Sequence, residues 1–207
     1  MAKADRSIDP RILESAKHEF LTYGFEKASL KEICDRAKVT TGALYKRYRG
    51  KEDLFCAVVA DTVSDLKNII EEKTSVQLSL LSDEDLIQAW NMDEEYMMWW
   101  FQYLYDRHDG FVLLLKCAEG TVYSNFQHDW VESMTQSTYK FYEEAYRRGL
   151  ARTKLSKEEL HILLSAFWTT IYEPFIHDFT WEQIKHHSKI MCDLFNWYRV
   201  MGFPEKD

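Results

Sequence analysis

The chain has 207 residues, of which 46% are apolar and 29% are charged. This balance excludes a disordered chain and, with only 3 prolines and 7 glycines, favours a mostly helical protein. No stretch approaches the roughly 20 apolar residues of a membrane span, and the N-terminal segment lacks the apolar core of a signal peptide. We therefore expect a cytoplasmic protein that makes no contact with a membrane.

The net charge of -8 is distributed unevenly along the chain. Residues 1–60 contain 12 lysines and arginines against 9 acidic residues, whereas the remainder contains 14 against 25. Contacts with phosphate require cationic side chains, so the basic part alone is suited to a polyanion, and the acidic part is suited to stay away from it. The asymmetry is weak evidence by itself, because runs of charge are usually only solvated surfaces.

A first helix is predicted over residues 10–23. Asp9 has the residue type of an N-cap, proline at position 10 suits the first helical position, and Gly24 can adopt the left-handed conformation that ends a helix. Apolar residues recur on one face of this segment, which we expect to be buried. They are Ile12, Ala16 and Phe20, with Leu13 alongside.

Two shorter helices follow before residue 50. Ser29 and Glu32 have the spacing of a capping box that starts the second helix. A tight turn at residues 38–39 then leads to a third helix over residues 42–48, with Thr40 or Thr41 as its cap. The first fifty residues are therefore predicted to contain three short helices.

The rest of the chain is predicted to be helical as well, with no strand-like alternation of useful length. The fourth helix runs from Lys51 to about residue 72, long enough to link the N-terminal head to the rest. Gly110 is predicted to interrupt the pattern, and only a short apolar piece follows it. The later segments are 82–89, a helix opening at 93, the piece 111–117, and helices over 122–148, 157–177 and 181–201. The predicted fold class is all-α.

Residues 29–54 are the most informative stretch for function. Two short helices joined by a tight turn have the size that places the second helix in the major groove of DNA. The start of the helix over 42–48 is small enough for close approach to base edges, and donors to phosphate follow it. An ordinary three-helix subdomain with a solvated basic edge fits the same spacing, so the pattern alone leaves both readings open.

The sequence of residues 33–45, ICDRAKVTTGALY, continuing to KEDL at residues 51–54, resembles the signature of the tetracycline-repressor (TetR) family. The resemblance extends over about residues 12–58 and is most specific in its Val-Thr-x-Gly-x-Leu-Tyr and Lys-Glu-x-Leu elements. It implies an all-helical dimer with a DNA-binding head and a ligand-binding body. The DNA-facing positions that it implies are Ser29, Lys31, Thr40, Thr41, Gly42, Ala43, Tyr45, Lys46, Arg47 and Lys51.

Three residues depart from the family pattern. Lys38 stands where the family usually has glycine in the turn, so the turn either avoids a positive φ or is destabilised by about 1 to 2 kcal/mol. Tyr48 replaces the usual phenylalanine, and Gly50 replaces the usual serine cap. These changes leave the fold intact and make the pitch of the recognition helix less certain.

The resemblance implies two functional domains. Residues 1–54 form the helix-turn-helix DNA-binding domain, and residues 55–207 form the ligand-binding and dimerisation domain. The chain is expected to be a transcriptional regulator, a repressor that binds double-stranded operator DNA as a homodimer. A small aromatic or lipophilic effector that binds the body would release it from DNA.

The last two predicted helices are the candidate dimer interface. One short head contacts few base pairs, so heads of this kind pair across a two-fold axis, and each of these helices carries an apolar stripe. The alternative is that the stripes only close the core of the monomer. The candidate interface residues are Leu160, Leu164, Phe167, Ile171, Ile184, Met191, Leu194 and Tyr198.

The body is rich in aromatic residues, and some of them are expected to line a ligand cavity while others form the core. Aromatic walls with a carboxylate nearby suit flat or cationic lipophilic ligands. Glu173 is the candidate acid, although Pro174 frees a carbonyl and bends the helix, so a kink or an interface is the stronger reading for it. The candidate ligand residues are Trp100, Tyr103, Phe126, Trp130, Tyr142, Trp168, Tyr172 and Glu173.

No catalytic, metal or cofactor site is expected. Neighbouring residues on a helix point about 100° apart, so His186 and His187 are poorly placed to share one ion. The sequence shows no nucleophile elbow, phosphate-binding glycine loop or paired catalytic carboxylates. The rival hypotheses are a helical ligand-binding or interaction protein whose head does not bind DNA, which Lys38 leaves open, and, least favoured, a helical enzyme.

Overall fold

The computed structural model describes residues 8–204. Within this range the regular structure is helical and no strand occurs, which confirms the all-α fold class. The chain divides into two compact units. The head unit comprises residues up to 65 together with 107–126, and the body unit comprises 66–106 together with the residues from 127 onward. The predicted functional boundary after residue 54 stays a prediction.

The helix α4 contributes to both units, because the division falls after Asp65. One 3-10 turn, Leu78–Leu80, follows it. The helices in chain order are α1 (Asp9–Lys27), α2 (Leu30–Ala37), α3 (Thr41–Tyr45), α4 (Lys51–Ser75), α5 (Asp83–Gln88), α6 (Glu94–Tyr105), α7 (His108–Lys116), α8 (Phe126–Arg147), α9 (Lys157–Ile176), α10 (Trp181–Leu194) and α11 (Trp197–Met201).

The first helix begins one residue earlier than predicted. Ile8 is the N-cap and makes no side-chain cap, so the prediction of Asp9 as N-cap is wrong; Asp9 is the first helical residue. Gly24 has φ +72° and interrupts the helix as expected, after which one further turn reaches Lys27. The predicted inward face is confirmed, because the three apolar side chains that define it are fully buried. They are Ile12, Ala16 and Phe20.

The helix α7 packs closely on α4 within the head unit. Gly110 lies in the first turn of α7, and a Cβ atom added there would stand 2.0 Å from the Thr62 hydroxyl oxygen. Gly110 therefore serves close packing and does not break a helix, and the prediction of a break at this position is wrong. The Arg107 guanidinium, at the N-cap of α7, pairs with Asp65 of α4 at 2.7 Å.

Local capping signals start the helices of the body unit where they were expected. Ser156 and Thr180 open α9 and α10 with complete capping boxes, and Ser82 does the same for α5. In each box the hydroxyl and the side chain at the third helical position satisfy two backbone N–H groups that the helix leaves unpaired.

The predicted helix over residues 181–201 is divided in two. Phe195 and Asn196 leave helical geometry, with ψ values of 87° and 84°. The Asn196 side chain then accepts a hydrogen bond from the N–H of Arg199 and starts α11. The expectation of one continuous helix is wrong, because a side chain competent to cap lies inside the apolar pattern.

Pro174 lies inside α9 and is compensated by a neighbouring helix. Proline has no N–H, so the carbonyl of Thr170, four residues earlier, has no helical donor. The Nε2 atom of His187, on α10, lies 2.7 Å from that carbonyl oxygen. Because a carbonyl only accepts, the imidazole donates at Nε2, and the bond links α9 to α10.

Candidate DNA-binding segment and ligand-binding body

The turn between α2 and α3 depends on a lysine with positive φ. Lys38 has φ 54° and ψ 48°, the left-handed conformation that glycine adopts most easily. Of the two possibilities left by the sequence, the turn therefore takes the strained one, which destabilises the fold by roughly 1 to 2 kcal/mol. The N–H groups of Lys38 and Val39 donate to the carbonyls of Asp35 and Cys34 and close the end of α2.

The helix α3 presents a polar face and buries a single leucine. Leu44 is fully buried, while Thr41, Gly42 and Lys46 are exposed and Tyr45 is 54% exposed. The helix covers Thr41–Tyr45, shorter than the predicted 42–48, and a turn follows. Because Leu44 alone anchors this short helix, the small residues at its start remain accessible to a large partner, as does Tyr45.

Two of the residues expected to face DNA also start the helices. The Thr40 hydroxyl accepts a hydrogen bond from the N–H of Ala43 at 3.1 Å. The Ser29 hydroxyl accepts one from the N–H of Glu32 at 3.3 Å. In both cases the hydroxyl acts as acceptor and retains its own proton, so it can still donate to another group.

A buried glutamate of α1 completes the cap of α2. The N–H of Ser29 donates to Oε1 of Glu19 at 3.2 Å, not to Glu32, so the predicted capping box is only half formed. The Arg36 guanidinium lies 3.3 Å from the other carboxylate oxygen of Glu19 and also donates to the carbonyl of Ser15. No local pattern indicates this link, because Glu19 lies ten residues before the cap that it satisfies.

The Arg47 guanidinium is engaged inside the head unit. It forms a close ion pair with Asp9 and donates to the carbonyl of Ala43. The side chain is only 14% exposed. The carboxylate of Asp9 thus compensates the charge of Arg47 and joins the start of α1 to the end of α3.

The Lys51 ammonium closes the C-terminal end of α1. It donates to the carbonyl of Glu26 at 2.8 Å and to that of Ala28 at 3.2 Å. It also lies 4.8 Å from the centroid of the Phe25 ring. Two of its three N–H donors are therefore used within the head unit, and one remains for another acceptor.

Lys31 and Lys46 are the two exposed cations among the positions that the resemblance assigns to contact with DNA. Among residues 8–204, neither has an ion pair or a side-chain hydrogen bond. Of the expected cationic side chains, these two lysines are the ones whose ammonium groups have no partner in the described part of the chain.

Three of the predicted ligand residues form a packed cluster in the body unit. The rings of Trp100, Trp130 and Trp168 meet edge to face, with centroids 5.1 to 6.4 Å apart. All three are buried. Edge-to-face packing at these distances is the arrangement that aromatic rings prefer in a core.

Of the other predicted aromatic ligand residues, Tyr103 and Tyr172 adjoin the tryptophan cluster at Trp100 and Trp168. Tyr142 and Phe126 lie elsewhere. Tyr172 stacks on Trp168 and is buried, and the loss of hydration raises the pKa of its hydroxyl well above the ordinary value. Tyr142 is buried and donates to the carbonyl of Thr153, and half-buried Tyr103 packs against Trp99. Phe126 belongs to the head unit, where its ring meets Phe111. The structure thus gathers only part of the predicted set.

Glu173 faces outward. Its carboxylate lies 3.0 Å from Nε2 of His177, one turn later on α9, and its side chain is 47% exposed. This exposure agrees with the stronger reading of Glu173 as a residue at the kink or at an interface, and its contact with a ligand stays a prediction.

Most of the predicted dimer residues lie in the core of the chain itself. Six are buried within the single chain, so their side chains do not form a surface that a second copy could contact. These are Leu160, Leu164, Phe167, Ile171, Ile184 and Met191. Leu194 is 67% exposed and Tyr198 is half-buried. For these six residues the alternative of a monomer core replaces the interface prediction.

No helix of residues 8–204 has the length and apolar character needed to cross a lipid bilayer.

The comparisons with known proteins identify the head segment. Residues 12–58 match the family described as "Bacterial regulatory proteins, tetR family". This range spans α1, the capped α2, the turn at Lys38, α3 and the first residues of α4. This match of the head segment covers 47 of the 207 residues. The resemblance stated from the signature residues is confirmed for this segment.

Two curated proteins share part of their sequence with this chain. The A-factor receptor protein of Streptomyces griseus is 38% identical over 69 residues, which are 32% of this chain and 25% of that protein. The HTH-type transcriptional repressor AcnR of Corynebacterium jeikeium is 26% identical over 94 residues, 44% of this chain and 49% of that protein. The matches span half or less of these relatives.

Solved structures of other regulators share the fold over most of the chain. The TetR-family regulator PfmR of Thermus thermophilus superposes with a TM-score of 0.61 at 15% identity, covering 95% of this chain and 100% of that one. FadR of Bacillus subtilis, in complex with stearoyl-CoA, gives a TM-score of 0.57 at 13% identity, covering 90% and 96%. At such identities the likeness establishes the TetR-type fold alone.

Proposed function

We propose that this chain is a DNA-binding transcriptional regulator, a repressor that reads an operator with α3. The observation that supports it best is the surface of α3, where Thr41, Gly42, Tyr45 and Lys46 are exposed around the single buried anchor, Leu44. A short helix held in this way after a tight turn suits insertion into the major groove.

The positions expected to face DNA divide into three roles. Small residues at the start of α3, Thr41 to Ala43, approach base edges and set sequence preference. Exposed Tyr45, Lys46 and Lys31 contact the phosphate backbone, with the hydroxyls of the caps as further donors. Arg47 and Lys51 mainly hold α1, α3 and α4 together, because their cationic groups already have partners in the head unit.

The proposed homodimer uses the outer faces of α9 and α10. Exposed apolar side chains lie on both helices, Ile162 on α9 and Ile190 and Leu194 on α10. The bond between His187 and the carbonyl of Thr170 joins these two helices. A pair of heads related by two-fold symmetry would then read two half-sites, which supplies the affinity that one short head lacks.

The proposed effector is a small aromatic or lipophilic molecule that binds the body and releases the operator. A ligand shifts such an equilibrium only through different affinities for the two states. The helix α4 contributes residues to both units, and for that reason we assign the transmission to it.

The decisive test is binding of the purified chain to duplex DNA from its own promoter region, followed by fluorescence anisotropy over a range of salt concentrations. We expect a complex that prefers this DNA to a scrambled duplex and weakens steeply as salt rises. The absence of both sequence preference and salt sensitivity would refute the proposal.

Matched charge variants locate the contact. Lys46→Glu should weaken binding to all sequences, whereas Lys140→Glu, an equal change of charge at an exposed position of α8, should have little effect. A substitution at Thr41 should instead change which sequence is preferred. Equal effects of the two lysine variants would contradict the assignment of α3 as the reading helix.

A further inference from the structure

A lysine continues the inward-facing stripe of α4 within the body unit. Leu66 is buried, Ile69 and Ile70 are half-buried, and Lys73 occupies the next position of the same stripe. Residues at these spacings share one helix face. The Lys73 ammonium lies 5.7 Å from the centroid of the Phe141 ring on α8. A cation therefore stands where the pattern of the helix calls for an apolar side chain.

This ammonium has no counterion within residues 8–204. Its neighbours in sequence, Glu71 and Glu72, are exposed. Glu144, one turn beyond Phe141 on α8, is held by Arg147 and Arg148 at 2.6 and 2.7 Å, and these bonds lower the pKa of its carboxyl to about 2. Loss of hydration, with no acid to offset it, lowers the pKa of Lys73 to about 8.

A second polar group on the same face of α8 also lacks a partner in the described chain. Thr138 precedes Phe141 by three residues, so the two side chains are neighbours on the helix. The residue is 5% exposed, and its hydroxyl oxygen has no hydrogen-bond partner among residues 8–204. Native proteins rarely leave such groups unpaired when they are buried. Both groups can donate a hydrogen bond to an acceptor.

An apolar stripe leads along α8 from this pair. Trp130, Met134 and Phe141 are buried and recur at helical spacing. At 1.5 Å per residue, the distance along the axis from Phe141 to Trp130 is about 16 Å. The stripe ends at the tryptophan cluster, where Trp100 and Trp168 meet Trp130.

We propose that Lys73 and Thr138 bind the anionic head of the effector, and that the stripe from Phe141 to Trp130 binds its apolar chain. The effector class is therefore an amphipathic anion with one extended hydrocarbon chain. Oxygen atoms of a carboxylate or a phosphate accept hydrogen bonds from both the ammonium and the hydroxyl.

This inference rests on the proposed function in taking the body as the effector site, and it adds a charge to the proposed lipophilic effector. From the sequence, Glu173 was the candidate acid for flat or cationic lipophilic ligands. The structure pairs Glu173 with His177 at the surface and leaves the buried charge on Lys73. A cationic ligand would meet like charge at this position.

The test measures binding of three probes of equal chain length to the full-length protein by isothermal titration calorimetry. Dodecanoate and dodecyl phosphate carry the two kinds of anionic head, and dodecanol is the neutral match. We expect at least one anion to bind about tenfold or more tightly than dodecanol, since a hydrogen bond to a charged group stabilises by roughly 1.5 to 3 kcal/mol. The stronger anion identifies the head group.

Three variants assign that preference to the site. Lys73→Met keeps the length of the side chain and should abolish the preference for the anion, while dodecanol binding changes little. Thr138→Val should reduce anion binding severalfold. Lys67→Met, an exposed lysine on the same helix, is the control and should bind as the original chain does. Circular dichroism confirms that each variant is folded.

Three results would overturn the inference: no binding of any probe, equal binding of anions and dodecanol, or an undiminished preference in Lys73→Met. Operator binding by the ligand-free protein is measured in parallel. If the operator binds and the anion preference is absent, only this inference fails. If the preference is present and no DNA binds, the proposed regulatory function fails instead.

Discussion

The uncompensated ammonium of Lys73 should lower the stability of the ligand-free protein, and its removal should raise it. The perturbation is Lys73→Met, which retains an unbranched side chain against Phe141 and removes the charge. In the unfolded chain the lysine pKa is 10.5, and in the folded chain it is about 8. A pKa lowered on folding means that the folded state disfavours the protonated form.

The magnitude follows from the difference between these two values. Each pKa unit corresponds to 1.36 kcal/mol, so the shift amounts to about 3 kcal/mol at pH 7, where the lysine is protonated in both states. Lys73 is half-buried as a residue, and movement of its head toward water reduces the effect. We expect Lys73→Met to increase the free energy of unfolding by about 2 kcal/mol at pH 7.

The pH dependence of the stability difference tests the sign of this effect independently. Between pH 8 and 10.5 the unfolded chain binds more protons at this lysine than the folded chain does, so stability from this group rises with pH. The advantage of Lys73→Met should therefore be full below pH 8 and mostly lost at pH 10. Other titrating groups are common to both proteins and cancel in the comparison.

Urea unfolding monitored by tryptophan fluorescence at pH 7 and pH 10 measures both quantities. Lys67→Met, at an exposed position of the same helix, is the control and should leave stability within about 0.5 kcal/mol of the original. A destabilised Lys73→Met at pH 7, or a gain that is the same at both pH values, would refute the reasoning.

Further substitutions test three contacts in the head unit by thermal unfolding. Gly110→Ala should destabilise by about 1 to 3 kcal/mol, because the new Cβ would overlap Thr62, and a second change, Thr62→Ala, should restore part of the loss. Glu19→Ala should destabilise by about 1 to 3 kcal/mol, since it leaves a cap N–H unsatisfied; an unchanged melting temperature would show that this link is dispensable. Lys51→Met should lower the melting temperature, whereas Lys31→Met should lower only the affinity for DNA; equal loss of stability in both would contradict their assigned roles.

The starts of helices could be predicted well, because the groups that set them lie within one turn of sequence. Ser156 and Thr180 form the capping boxes expected of them. The same local reasoning located the turn before α3 and its buried leucine. It was wrong at Asn196, where a capping side chain lies inside an apolar pattern and the sequence offers no measure of which interaction is stronger.

Contacts between distant segments were out of reach of this reasoning. The sequence correctly indicates that Arg47 and Lys51 are cations near the reading helix. It does not show that Asp9 and two carbonyls at the end of α1 already hold them. The same limit applies to the body, where the exposed side of α9 and α10 follows from three-dimensional packing. An apolar stripe by itself does not say whether it faces the chain's own core or a second copy.

The bond between His187 and Thr170 has an evolutionary consequence. It exists because Pro174 prevents α9 from using that carbonyl. With alanine at position 174 the helix would supply its own donor, and the imidazole would lose its acceptor. A lineage that replaces the proline thus removes the selective reason for a ring N–H at position 187, and a lineage that loses the histidine leaves a carbonyl unsatisfied. We expect the two positions to change together among related chains, and an aligned set of relatives in which they vary independently would show that water or another side chain fills the place.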